Sequence, residues 1–189
     1  MVARTSLRLI PNPAHPPAVP RARFTEALSC LAATVCVVGA ADQDARQGRT
    51  ATAVISLSID PPTLLVSIDR SSVLAGLIEQ TEGFSVALLA EGQAEVAEAF
   101  AGKLGVPRSE RFTFGQWDAW PSGRPRLAGA VANLDCHLIG LTEVATHILF
   151  VGLVTSVETT AASPLMWGQR RYRGLLPTEA AAMAPDAEG

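Results

Sequence analysis

Hydrophobic positions change their period several times along the chain, and each change marks an element. From Arg23 to Ala32 the apolar residues Phe24, Ala27, Leu28 and Leu31 fall at i, i+3, i+4 and i+7, which predicts an amphipathic helix. Thr34–Ala41 is short, apolar and β-branched, and predicts a strand. A polar turn over Asp42–Gly48 follows. Thr50–Ser58 then alternates small hydroxyl residues with apolar ones, so one strand would set Thr50, Thr52, Ser56 and Ser58 on one face, with an irregularity near Ala53. Asp60-Pro61-Pro62 forces a turn into a strand over Thr63–Asp69. Ser71 or Ser72 caps a helix to about Gln80, Gly83 opens a strand, and Glu91–Ala101 is helical with Val96, Ala97 and Phe100 inward. Leu104–Arg126 is Gly- and Pro-rich and predicts a long structured loop. Ala130–Leu141 and His147–Glu158 predict two long strands, and Leu165–Trp167 with Arg171–Leu175 a short final one.

Many short strands interrupted by few helices predict a mainly β chain, a barrel with peripheral helices. Strands and helices do not alternate as a doubly wound sheet requires, and no G-x-G-x-x-G follows a strand, which disfavours a Rossmann fold. Residues 1–22 hold a proline-rich stretch (P-N-P-A-H-P-P-A-V-P) that predicts a disordered arm, with His15 solvent-exposed. The domain is expected over 23–176 and a frayed Ala-rich tail over 177–189.

Composition narrows the function classes. A formal charge of −3 over 189 residues argues against broad capture of nucleic acid or of an anionic membrane. No apolar run approaches the ~20 residues of a spanning helix, and no secretory signal is visible, so a cytoplasmic location is expected. The three cysteines, Cys30, Cys36 and Cys136, all lie in apolar segments and are expected as buried reduced thiols. Cys136 and His137 would point to opposite faces of a strand, so no metal site is expected.

Four places could carry chemistry. The Thr50–Ser58 hydroxyl row is either an edge strand facing water or a surface that a flat polar heterocycle approaches closely. Asp69-Arg70-Ser71-Ser72, where a strand gives way to a helix, is either a plain cap or an anion site of amides, hydroxyls and an arginine. Lys103, the only lysine, follows a helix in Phe100-Ala101-Gly102-Lys103; it either compensates the dipole or delivers a point charge to a phosphate. His147, at a strand start, is either a hydrogen-bonded structural residue or a ligand contact. No G-x-S-x-G elbow supports Ser–His–Asp hydrolysis.

The stretch G-R-T-A-T-A-V-I-S-L-S-I-D-P-P-T-L-L-V-S-I-D-R-S-S (48–72) resembles the signature of the short-chain flavin reductases. The ordered motifs F-S-V-A-L-L-A-E-G-Q, F-A-G-K, E-R-F, L-D-C-H, T-H-I-L-F-V-G and W-G-Q-R-R-Y-R-G-L extend the resemblance over about residues 23–175. Within that family the chain looks most similar to the flavin reductases of pyrimidine utilisation. The resemblance implies an FMN-binding split β-barrel of Greek-key type, and a homodimer that uses NADH or NADPH to reduce FMN or FAD for a separate monooxygenase. It implies that Thr50, Thr52, Ala53 and Ser56 line the isoalloxazine and ribityl chain. Arg70, Ser71 and Ser72 would meet the phosphate, with Lys103 and Phe100 nearby. Tyr172 would lie at the flavin edge or the dimer seam, and His147 near the nicotinamide.

Three positions depart from the family pattern. Gly-Asp-His is Ala145-Thr146-His147, so the carboxylate beside the histidine is missing; Leu153 replaces a common acid and Ala87 a common asparagine. The cofactors would carry the hydride chemistry, so the protein needs no nucleophile. The Ser56 hydroxyl and the 50–58 amides are the expected donors to the reduced ring, and His147 the expected nicotinamide positioner. The competing reading is a non-catalytic flavin- or haem-binding split-barrel protein.

Overall fold

The computed structural model describes residues 17–175. Most of the expected arm, His15 with it, and the tail over 177–189 lie outside the described residues. In chain order the elements are helix α1 (Arg21–Ser29), strands β1 (Ala33–Thr34), β2 (Cys36–Ala41), β3 (Arg46–Ala51), β4 (Val54–Ser58) and β5 (Thr63–Asp69), helix α2 (Val73–Thr81), strand β6 (Gly83–Leu88) and helix α3 (Ala94–Phe100). A 3-10 turn (Arg108–Thr113) leads to β7 (Trp117–Ala119) and β8 (Pro125–Leu127). The long strands β9 (Ala132–Val144) and β10 (His147–Thr159) come next, and β11 (Met166–Gly168) and β12 (Arg171–Arg173) end the described chain.

The main sheet is antiparallel throughout, in the order β3-β2-β6-β9-β10-β5-β4. Its two edge strands, β3 and β4, are consecutive in sequence, with only Thr52 and Ala53 between them. A flat sheet of that order would set its edges about 29 Å apart, at ~4.8 Å per strand. A few residues of chain span only ~10 Å. The sheet therefore rolls into a barrel whose edges meet at Thr52–Ala53, where the Ser67 amide donates to the Ala53 carbonyl at 3.1 Å. This is the mainly β barrel that the sequence predicts. It also corrects the single strand expected over Thr50–Ser58. That stretch is two strands on opposite edges, so Thr50 and Thr52 are separated from Ser56 and Ser58.

Two apolar clusters hold the barrel. Inside it, Val38, Ala40, Val66, Ile68, Phe84, Val86, Leu138 and Phe150 meet Leu74, Ala75, Leu77 and Ile78 of α2, which plugs one end. Outside it, Val35, Val37, Ala87 and Leu89 pack under Val96, Ala97, Ala99 and Phe100 of α3, with Phe112 and Leu127. β2 is thus buried on both faces, which is why its sequence is an unbroken apolar run. The strand expected over Thr34–Ala41 divides at Val35, because β1 pairs with β11 in a separate three-stranded sheet. The loop expected over Leu104–Arg126 contains the 3-10 turn and the β7–β8 hairpin. A buried ion pair between Arg124 and Asp135 at 2.9 Å ties that hairpin to β9.

Helix α1 forms, but nothing in it is buried: Phe24, Leu28 and the following Leu31 stay exposed. Cys30, next to this unpacked helix, is exposed as well, against the expectation of three buried thiols. Cys36 and Cys136 are buried, and burial pushes both thiols up to about 12.

Candidate functional site

Three cavities meet along Arg49–Ala53, the last residues of β3 and the crossing to β4. Each takes one wall from this stretch and the opposite wall from a different part of the fold.

The first, about 100 Å³, is lined by Gly48, Arg49, Ser72, Phe100, Arg108 and Arg111, among others. The N-terminus of α2 opens on it. Ser72 caps that helix, its Oγ accepting from the Ala75 amide at 3.2 Å, while Val73 and Leu74 also line the cavity. The arginines arrive by separate routes. Arg49 comes from β3, and Arg108 and Arg111 lie one turn apart in the 3-10 segment. Partial burial, then the charges of Arg108 and Arg49, push the Arg111 guanidinium below its ordinary range. Arg111 Nη1 donates to the Phe100 carbonyl at 3.4 Å, and its buried Nε has no partner. Among the described residues no carboxylate pairs with Arg49, Arg108 or Arg111. Arginines drawn together beside a helix N-terminus without a paired carboxylate fit an anion, and phosphate is the common one.

The aromatic packing beneath fixes the cavity floor. Phe100 meets Phe112 edge-on at 4.9 Å and Trp117 at 5.3 Å, and Arg46 stacks over Phe112 at 4.4 Å. Gly48 lies against this cluster: a Cβ there would stand 2.5 Å from the Phe100 ring.

The second cavity, about 170 Å³, is lined by Val35, Thr50, Ala51, Thr52, Ala101, Lys103, Trp167 and Tyr172. Trp167 and Tyr172 face each other across the β11–β12 pair, with ring centroids 4.9 Å apart. Lys103 Nζ sits 4.8 Å from the Trp167 ring and 5.2 Å from that of Tyr172. Burial, then the charge of Glu98, pushes the Tyr172 phenol up. Backbone, methyl groups and rings make this a slot for a flat, largely apolar body.

The third, about 210 Å³, lies on the other side of the same strand, between Arg49–Ala53, Ser67, Asp69 and His147. His147 Nδ1 and the Thr146 hydroxyl are 2.9 Å apart. Asp69 Oδ1 accepts from the Ser71 amide at 2.8 Å and from the Ser71 hydroxyl at 2.7 Å. Those two bonds, the hydroxyl's first, hold the Asp69 carboxyl below its usual range, with Arg49 and His147 contributing charge.

An anion pocket, a flat slot and a third pocket sharing one strand suit a phosphorylated flat-ring cofactor with a second molecule beside it. Comparisons with known proteins bear on this. A family profile described as flavin reductase like domain matches residues 28–176. The chain belongs to the flavin reductase-like family. FMN reductase (NADH) RutF 1 of Methylorubrum extorquens is 37% identical over 168 residues, covering 88% of this chain and 82% of the relative. Among solved structures, BorF, the flavin reductase component of a bacterial two-component tryptophan halogenase, aligns with TM-score 0.77 at 27% identity, over 84% of this chain and all of that one. The NADH:FAD oxidoreductase SgcE6 of Streptomyces globisporus, in complex with NAD and FAD fragments, aligns with TM-score 0.76 at 27% identity, over 89% of this chain and 95% of that one. The barrel is therefore the split barrel of the flavin reductases.

The structure gathers some of the expected flavin reductase residues and disperses others. Ser72 and Phe100 stand in the anion cavity. Thr50 and Thr52 line both of the other two, and Ala53 joins His147. The Thr50 hydroxyl is engaged with the Ala97 carbonyl at 2.6 Å. Ser71 turns to Asp69. Arg70 leaves the anion cavity for an exposed contact with Glu143 at 3.6 Å. Lys103 stands with Tyr172 in the ring slot, away from the arginines. Ser56 is exposed on the edge strand β4 and lines none of the three cavities.

Sequence reasoning did not single out Arg49, Arg108 and Arg111, which line the anion cavity, and it named Asp69 only as part of the Asp69–Ser72 turn. The spacing of Arg108 and Arg111 carries a faint signal, since i and i+3 eclipse in a 3-10 turn. Arg49 carries none, because only the rolled sheet brings it beside Asp69. Among the described residues no cluster of His, Cys, Asp and Glu is placed to hold a metal ion, and no helix is long and apolar enough to cross a membrane.

Proposed function

We propose that this flavin reductase oxidises NADH or NADPH to reduce FMN or FAD, and supplies the reduced flavin to a partner monooxygenase or a related flavin-dependent oxygenating enzyme. The observation that carries the reading is the meeting of the arginine-lined anion cavity with the two flat cavities on Arg49–Ala53. The residues fit a flavin. Arg49, Arg108, Arg111 and the first amides of α2 would hold its phosphate, and the buried orphan Nε of Arg111 gains an acceptor there. Thr50–Thr52 would border its ring, with Lys103, Trp167 and Tyr172 across the slot. The bound flavin would supply the hydride-accepting chemistry. The chain's own part is to bind and orient: the narrow slot fixes the ring plane, and His147 with Asp69 shapes the side where a nicotinamide would stack. The name of the Methylorubrum relative supports NADH as donor and FMN as acceptor, and that of the Streptomyces protein keeps FAD in view. The halogenase component supports delivery to a second enzyme.

The reading includes a homodimer. Ile55, Leu65 and Val151 form one outward row across β4, β5 and β10, flanked by Leu149 and Leu153, with Leu57 exposed beside them. Such an apolar sheet face is rarely left open in a monomer.

The test mixes NADH, FMN and catalytic amounts of protein and follows the reduced-nicotinamide absorbance. Consumption proportional to protein is expected; a protein that binds flavin but consumes no NADH or NADPH would be a passive carrier. Arg111→Gln should weaken FMN binding about tenfold or more, from the loss of a charge-assisted bond, while riboflavin changes less than about twofold. Equal weakening of both would place Arg111 outside the phosphate site.

A further inference from the structure

Asp69 is paired directly with His147 across the β5–β10 ladder. Residues so opposed stand about 4.5–5.5 Å apart at Cα, with side chains on the same face. Both line the third cavity. Asp69 uses Oδ1 for both Ser71 bonds, and among the described residues Oδ2 has no hydrogen-bond partner. His147 uses Nδ1 for Thr146, leaving Nε2. A Thr146 hydroxyl that donates to Nδ1 leaves the ring proton of the neutral imidazole on Nε2. The cavity thus presents one fixed acceptor and one donor side by side.

We propose that Asp69 determines specificity for the nucleotide by reading the carboxamide of its nicotinamide: Oδ2 accepts from the amide nitrogen while His147 Nε2 donates to the amide oxygen. The proposal rests on the reading of this cavity as the pyridine-nucleotide side. A primary amide is the complement of such a pair. A carboxylic acid in the same place is ionised at neutral pH, offers only acceptors and faces the Asp69 charge.

The experiment compares NADH with its deamidated analogue, reduced nicotinic acid adenine dinucleotide, using the full chain with FMN. The wild type should prefer NADH in kcat/KM by at least about tenfold, the scale of one hydrogen bond to a charged group. Asp69→Asn keeps an oxygen for Ser71 and turns an N–H group to the cavity. Its preference should shrink about tenfold or more, with the loss for NADH appearing in KM and flavin affinity unchanged. A capping role alone would lower both nucleotides together and leave the ratio intact; an active Asn variant with an unchanged ratio therefore overturns the proposal. The wild-type comparison needs no variant to fold: a wild type that reduces FMN equally well with both nucleotides overturns the role of Asp69 while the reductase reading stands. A wild type that oxidises neither overturns that reading as well.

Discussion

Lys103 shows how far a single residue's role depends on where the chain turns after it. As the only lysine, one residue past a helix-ending glycine, it looks like a phosphate ligand. Its ammonium group instead stands over the rings of Trp167 and Tyr172, and the phosphate-sized cavity is left to arginines. A cation over two aromatic faces stiffens the slot by about 0.5–2 kcal/mol. Lys103→Ala should therefore weaken FMN and riboflavin alike, by about 2–30-fold, in a fluorescence titration. This is opposite to the pattern expected for Arg111. Loss of FMN binding with riboflavin spared would put Lys103 back on the phosphate.

At the scale of elements, the site depends on β3 approaching α3 and the 3-10 turn closely enough to leave a shallow, charged cavity between them. Gly48 permits that approach. An added Cβ would stand 2.5 and 2.8 Å from two atoms of the Phe100 ring and 3.4 Å from Phe112. Phe100 is held by Phe112 and Trp117 and has little room to give way. Gly48→Ala should cost about 1–3 kcal/mol by overpacking. In a chain of this size that lowers Tm by about 2–12 °C. FMN affinity should fall with it, since Phe100 walls the anion cavity. A variant that melts like the wild type and holds FMN as tightly would mean that the aromatic cluster is looser than its packing implies.

For the whole molecule, the decisive event is closure of the sheet. One barrel face is plugged by α2 and another is covered by α3, while the outward side of β4, β5 and β10 keeps its apolar row. His147 lies at the end of that face. A second copy covering it would bury the row beside the third cavity. Ile55→Asp should convert a sedimenting dimer into a monomer and reduce activity, while the monomer keeps a cooperative melt. Ile55 is 55% exposed, so the charge costs a single chain little. A variant that remains dimeric would move the interface elsewhere, with the exposed apolar side of α1 the next surface to test.

The sequence by itself determined most of the elements and the family. Strands such as Thr63–Asp69 and the Ser72-capped helix are written in local period and cap chemistry, which act over a few residues. The ordered motifs carried the flavin reductase resemblance and singled out Thr50, Thr52, Ser72, Phe100 and His147, which line the three cavities. Tertiary structure decided which side chains meet. One alternating stretch became two edge strands, because the sheet closes at Thr52–Ala53; this left Ser56 outside the cavities and brought Arg49 in. Arg70 and Arg111 have the same side chain, yet one turns outward to Glu143 and the other inward under Phe100. Asp69 and His147 are far apart in sequence and become partners through the register of β5 on β10. Periodicity records which face of its own element a residue occupies. It holds nothing about what stands opposite, because pairing and closure are set by the fit of distant apolar faces.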